Sequence, residues 1–136
     1  MQNPSNLAVS GKSRRMAVEV YRVCGLLPDS ERFGLASQMR RAAVSVGSNI
    51  AEGCGRHGDR ALLQFLHVSM GSASELECQL NLSVDLELLS QAAIAPSLRE
   101  VLHVKRMLGK LIGSLRRAIA AAERKPVPRA TDRLKD

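Results

Sequence analysis

Aromatic side chains are almost missing from this chain, with no Trp, one Tyr and two Phe, although 45% of its residues are apolar. Its core must therefore be built from Leu, Val, Ile, Met and Ala, which suits helices packed on helices better than a sheet. Cysteine is scarce and odd in number. Cys24, Cys54 and Cys78 show no CxxC or CxxxC spacing, so neither a disulfide framework nor a zinc site is indicated, and a reduced, cytoplasmic setting is expected. No apolar run approaches the roughly 18 residues that a membrane span needs. The opening MQNPSNLAVSGKSRR also lacks the apolar stretch of a secretory signal.

Catalytic signatures are absent too. There is no GxSxG, no P-loop, no HExxH and no GxGxxG after a strand. Cys54 and His57 share a glycine-rich turn, but nothing in the sequence supplies an orienting third group or oxyanion donors, so a surface turn is the better reading. A carboxylate-bridged metal pair in a helical bundle wants Glu-x-x-His on two helices and a further Glu on each of two others. The chain has one such pair, Glu100 with His103, and neither His57 nor His67 has a Glu three residues before it. No cofactor and no metal are expected, and the chain reads as a non-enzyme.

What the chain does contain is helical periodicity and positive charge. Its 136 residues fit one domain, and Met16, Val20, Val23 and Leu27 recur in steps of 4, 3 and 4, predicting a first helix from about Ser13 to Leu27, stopped by Pro28. A second helix is predicted from about Glu31 to Cys54. Its core stripe is Leu35, Met39, Ala42, Val46 and Ile50. A polar stripe of Gln38, Arg41, Ser45, Ser48 and Glu52 lies round from it, and Phe33, Val44 and Ala51 form a third, apolar strip. That third strip predicts a packing neighbour beyond the bundle core. A third helix is predicted from Asp59 to Leu89 on Leu62, Leu66, Ser69, Ala73, Leu76, Leu80 and Val84. Within it Gly71-Ser72-Ala73-Ser74 costs helix stability, which the close approach of another backbone would offset. A fourth helix, capped by Ser90 or starting at Pro96, carries Val101, Val104, Leu108, Leu111, Leu115 and Ala118 to about Ala122.

The fold predicted is an all-α, antiparallel, up-down-up-down four-helix bundle over residues 13–122. Residues 1–12 are expected to be a flexible lead-in and residues 123–136 a disordered basic tail. Residues 38–56, QMRRAAVSVGSNIAEGCGR, are the stretch around which the rest is organised.

The formal charge is +7 and the pI about 10.0, enough to attract a polyanion by field alone. Charge is uneven, at +4 over residues 1 to 58, −4 over 59 to 98 and +7 over 99 to 136. Lys105, Arg106, Lys110, Arg116, Arg117, Arg124 and Lys125 form the cluster best suited to nucleic-acid contact, against the alternative of a solvated helix face that also favours the helix C-terminus. With so few aromatics to stack on bases, such binding would be backbone-driven, salt-sensitive and weakly sequence-specific. Arg40 and Arg41 admit a phosphate-binding reading, but pairing with Glu52 or Glu75 is favoured.

Three blocks, LPDSERFGL (27–35), QMRRAAVSVGSNIAEGCGR (38–56) and FLHVSMGSASELECQL (65–80), resemble the signature blocks of the bacterial 23S rRNA intervening-sequence proteins. The resemblance implies a small cytosolic four-helix bundle assembling into a ring-like homo-oligomer, a pentamer, with no enzymatic activity. It extends to the accessory bundle protein of diversity-generating retroelements, a basic oligomer thought to bind nucleic acid and a reverse transcriptase. The family pattern marks Pro28, Glu31, Gln38, Arg40, Arg41, Ser45, Asn49, Glu52, Gly53, Arg56, Gly71, Ser72, Glu75 and Leu76. One departure is Gly47, where the family often has Pro; a bend is expected there in either case.

Two functions follow as expectations. One is an oligomeric scaffold that binds RNA or DNA backbone, or a protein partner holding it, through basic surfaces. The other is a protein-interaction or self-assembly module with no nucleic-acid contact.

Overall fold

The apolar 3 and 4 spacing is realised as four long helices in a computed structural model that describes residues 4–124. They are α1 (Pro4–Cys24), α2 (Leu35–Gly55), α3 (Asp59–Asp85) and α4 (Gln91–Arg124), with a 3-10 turn, Asp29–Glu31, between the first two. Among the described residues there is no strand, and no helix is long and apolar enough to cross a membrane.

Contacts join α1 to α2, α2 to α3, α3 to α4 and α4 back to α1, with none across the diagonals among the described residues. The helices therefore stand at the four corners of a square. Each neighbouring pair is antiparallel, because partner numbers fall on one helix as they rise on the next. Between α2 and α3, Ser45 meets Ser72, Val46 meets Ser69 and Gly53 meets Leu62. Between α3 and α4, Arg60 pairs with Glu123, His67 with Arg116 and Glu77 with Lys105.

The core is aliphatic throughout. Met16 and Val20 on α1, Met39, Val46 and Ile50 on α2, Leu66, Leu76 and Leu80 on α3, and Ile94, Val101, Val104 and Leu108 on α4 are all sealed from solvent. Four serines are buried with them. Each hydroxyl donates to a backbone carbonyl: Ser13 to Ser10, Ser83 to Leu80, Ser97 to Ile94, and Ser69 across to Val46 of α2 at 2.8 Å. Buried hydroxyls are tolerated where they find such partners.

The helix ends depart from the sequence reading. Helix α1 reaches back to Pro4 instead of about Ser13, because Val9 continues the apolar stripe and is fully buried. Of the expected lead-in, only residues 1–3 lie outside the described residues; of the expected basic tail, Glu123 and Arg124 are helical and 125–136 lie outside. Helix α2 starts at Leu35 rather than Glu31, whose carboxylate accepts a hydrogen bond from the Leu35 amide at 3.1 Å and so caps the helix from outside. Helix α3 stops at Asp85 instead of Leu89. Glu87 turns left-handed at φ 60°, and the Leu88 and Leu89 amides both fold back on the Ser83 carbonyl. Helix α4 starts at Gln91 with Ser90 as its cap, the Ser90 hydroxyl accepting from the Ala93 amide at 3.1 Å. Pro96 lies inside the helix, where the carbonyl that loses its donor, Ala92, is on an exposed residue. Gly47 does not break α2, which is continuous to Gly55.

Two glycines that the family pattern marks have opposite environments. A Cβ on Gly53 would sit 2.9 Å from Phe65 Cβ and 3.0 Å from Leu62 Cδ1, so α3 passes too close for any side chain. At Gly71 a Cβ would meet nothing within 4 Å. The close approach expected at 71–74 is thus made by Ser72 and Ala73, on the inner side of α3. Gly53→Ala should destabilise the fold by about 1–2 kcal/mol, overpacking outweighing the gain in helix propensity. Gly71→Ala should stabilise the single chain by up to about 1 kcal/mol. Denaturant melts of the two variants check this, and a shift of the same sign in both contradicts it.

Candidate functional surfaces

The motif residues of α2 fall into three groups, because about 100° separates consecutive residues. The first fastens the α1–α2 connection. Arg40 donates to the Arg32 carbonyl at 3.4 Å, and Glu31 caps α2. Beneath them the Cys24 thiol donates to the Ala36 carbonyl at 3.6 Å. Burial pushes the Cys24 pKa up, partly offset by the nearby Arg40 guanidinium. The thiol stays protonated and structural.

The second group lines a groove between α2 and α3 of about 550 Å³, bounded by Gln38, Arg41, Ala42, Ser45, Ser72 and Glu75. On its floor the Ser45 and Ser72 hydroxyls share a hydrogen bond of 2.9 Å, while Asn49 donates to both the Ser45 carbonyl (2.8 Å) and hydroxyl (3.0 Å). This polar fastening ties the two helices. The expected pairing of Arg40 or Arg41 with Glu52 or Glu75 is not formed. Arg41 reaches only the Ser37 hydroxyl at 3.5 Å, Glu75 accepts from Gln79, and Glu52 pairs with Arg56 at 3.3 Å. Eleven residues put Glu52 about 16 Å along the helix from Arg41, which the side chains do not span. Arg56 also lies 5.5 Å from the Phe65 ring, holding the α2–α3 turn over Gly53.

The third group is the outermost face of α2. Ser37, Arg41, Val44, Ser48, Ala51 and Gly55 follow in steps of 4, 3, 4, 3 and 4, opposite the core stripe. Val44 is 49% exposed, and the preceding Phe33 is 87% exposed. The apolar strip predicted from the sequence is therefore uncovered by the chain itself. A shallow depression bounded by Ser48, Ala51, Glu52, Gly55 and Arg56 adjoins it.

The basic residues of α4 divide differently from the sequence cluster. Lys105 is 2.7 Å from the Glu77 carboxylate and Arg116 is 3.3 Å from His67 Nε2, so both turn toward α3. Arg106, Lys110, Arg117 and Arg124 are exposed, and Lys125 lies outside the described residues. Arg99, which sequence reasoning missed, joins the exposed set; its signal was the seven-residue step to Arg106. Arg99, Arg106, Lys110, Arg117 and Arg124 lie within a sector of about 40° on the side of α4 opposite its core stripe. Among the described residues none of the five has a carboxylate partner.

The remaining chemistry is sparse. Glu100 pairs with Lys12 at 2.7 Å while His103 is exposed, and no group of three or more His, Cys, Asp or Glu side chains among the described residues could hold a metal. Burial pushes the Cys54 pKa up, the opposite of what a nucleophile beside His57 requires.

The chain resembles a crystallised protein of unknown function from the S23 ribosomal protein family of Bacteroides thetaiotaomicron, with 21% identity and a TM-score of 0.74 over 80% of this chain and 98% of that one. At that identity the likeness speaks for the fold. No curated protein matches the chain. Residues 5–110 match the family described as 23S rRNA-intervening sequence protein, a span that takes in α1, α2, α3 and most of α4 with all the motif residues above. The chain belongs to the 23S rRNA-intervening sequence protein family.

Proposed function

We propose that this protein is a non-enzymatic, cytoplasmic helical scaffold that binds nucleic acid through its basic surface. The observation that supports it is the direction of the charge. Acidic α3 neutralises one flank of α4 through Glu77 and Lys105, while the outward cations of α4 keep their charge unpaired. Unpaired, solvent-exposed Arg and Lys in a fixed array suit phosphate contact, and a paired array would not. A labelled DNA duplex and a structured RNA, titrated at low and at high salt, test this. Binding should weaken steeply as salt rises. No binding of either probe at low salt contradicts the reading.

A second reading, compatible with the first, is self-association, and the face that favours it is the outer side of α2. A solvent-facing helix surface ordinarily carries Lys and Glu, yet Val44, Ser48, Ala51 and Gly55 are small or apolar at helix-packing spacing. A second copy of the chain seated there would cover Val44 and could bring a carboxylate to Arg41. The pentamer implied by the family resemblance is then the stoichiometry to look for. Mass measurement in solution should give a multiple of the 14.7 kDa chain. The double variant Ser48→Glu/Ala51→Lys should shift the mass toward the monomer without loss of helicity. An unchanged mass for that variant removes α2 as the interface.

A further inference from the structure

The geometry points to the outer line of α4 as a rail that seats about one turn of double-stranded DNA; this rests on the nucleic-acid reading above and names its partner and contact residues. Helix α4 is the longest of the four, at 34 residues against 21 for α1. The antiparallel pairing of Lys12 with Glu100 sets Pro4, where α1 begins, opposite about residue 108 of α4. Beyond that level, among the described residues, α4 has α3 on one side and no α1 on the other. Its last turns pack on α3 alone, where Arg60 pairs with Glu123, and Arg116, Arg117, Ala118, Ala121 and Ala122 are all exposed.

Arg99, Arg106, Lys110, Arg117 and Arg124 run along this rod at intervals of 7, 4, 7 and 7 residues. At 1.5 Å per residue the line is about 37 Å long. One turn of a DNA duplex occupies roughly 34–36 Å. The outer crest of α4 can also face the major groove of B-form DNA, about 12 Å across, with its long cationic arms reaching phosphates on the groove walls. The deep, narrow major groove of an RNA duplex does not admit it.

Single strands are disfavoured for a different reason. Their recognition leans on aromatic stacking platforms, and the chain's aromatics sit elsewhere: Tyr21 on α1, Phe33 between α1 and α2, and Phe65 on α3. His103, on the same outer side of α4, is the one ring close to the line. What remains is a straight row of charges, which favours a stiff polyanion of continuous charge density. Lys105 and Arg116, though on the same helix, are turned to α3 and fall outside the rail.

The test compares the full-length wild type with two double variants on a duplex of about 24 base pairs, enough for two turns, alongside the matching RNA duplex and single strand. Arg106→Gln/Lys110→Gln should lower duplex DNA affinity roughly 60-fold at 0.1 M salt and flatten the log–log salt slope by about 2, at about 0.9 per lost phosphate contact. Lys105→Gln/Arg116→Gln, on the α3 flank, should lose less than about fivefold and keep the slope. Circular dichroism confirms that each variant is folded, and Arg117→Gln/Arg124→Gln, at the C-terminal end of the line, repeats the first test should that pair not fold. The rail is overturned, with nucleic-acid binding itself intact, where the rail variants bind like wild type, where the flank variant loses as much as they do, or where single strand or RNA duplex binds as tightly as DNA duplex. Wild type that binds none of the probes at low salt overturns both readings.

Discussion

The close antiparallel approach of α2 to α3 is the constraint on which the rest of the bundle depends. At one end Gly53 removes the side chain that would hold the helices apart, and Phe65 and Leu62 fill the space. In the middle Ser69 donates into the α2 backbone at Val46, and Ser45 and Ser72 join hydroxyls. Small residues at each level bring the axes together, and the hydroxyls fix the register where apolar packing alone would tolerate sliding. Packing energy and polar satisfaction then favour one alignment. The motif residues Ser45, Asn49, Gly53 and Ser72 act at this seam, so the family pattern is in large part a description of how α2 and α3 are joined.

Fixing that register decides which faces are left over. With α2 and α4 at diagonal corners, the small, apolar outer face of α2 and the cationic outer face of α4 point away from each other. A second copy packed on α2 would leave the α4 line uncovered. The two readings of the sequence, scaffold assembly and polyanion contact, therefore make no competing claim on the same surface.

Much of this was legible in the sequence, because a four-helix bundle is specified by spacing. The stripes through Met16, Met39 and Leu66 lie in the core, that of α4 is buried as far as Leu108 and runs out to an exposed Ala118, and the lack of aromatics foretold an aliphatic core. The helix ends were less legible. Glu87 in the left-handed region ends α3 where Gly or Asn would have announced a stop, and Val9 extends α1 through a segment whose Pro4 and Gly11 read as irregular. The partners of Arg40 and Arg41 could not be read at all. Charge composition suggested carboxylates, but partner choice depends on rotation about two helix axes, and that rotation gave Arg40 a backbone carbonyl and Arg41 a serine.

The same rotation explains why net charge alone was a coarse guide to the basic surface. Counting cations groups Lys105 and Arg116 with Arg106 and Arg117, since each pair lies next to the other in sequence. A step of about 100° per residue separates them. One member of each pair turns to acidic α3, where Glu77 and Arg60–Glu123 make that flank an ion-paired seam; the other turns to solvent. Exposed ion pairs contribute little stability, so the chief effect of the α3 carboxylates is on the field: they cancel the charge on one side of α4 and leave it undiminished on the other. A net charge of +7 spread evenly over a bundle would attract any polyanion weakly and without orientation. Concentrated on the crest of the longest helix, part of it becomes a surface with a direction and a length, and a straight, stiff polyanion can match both.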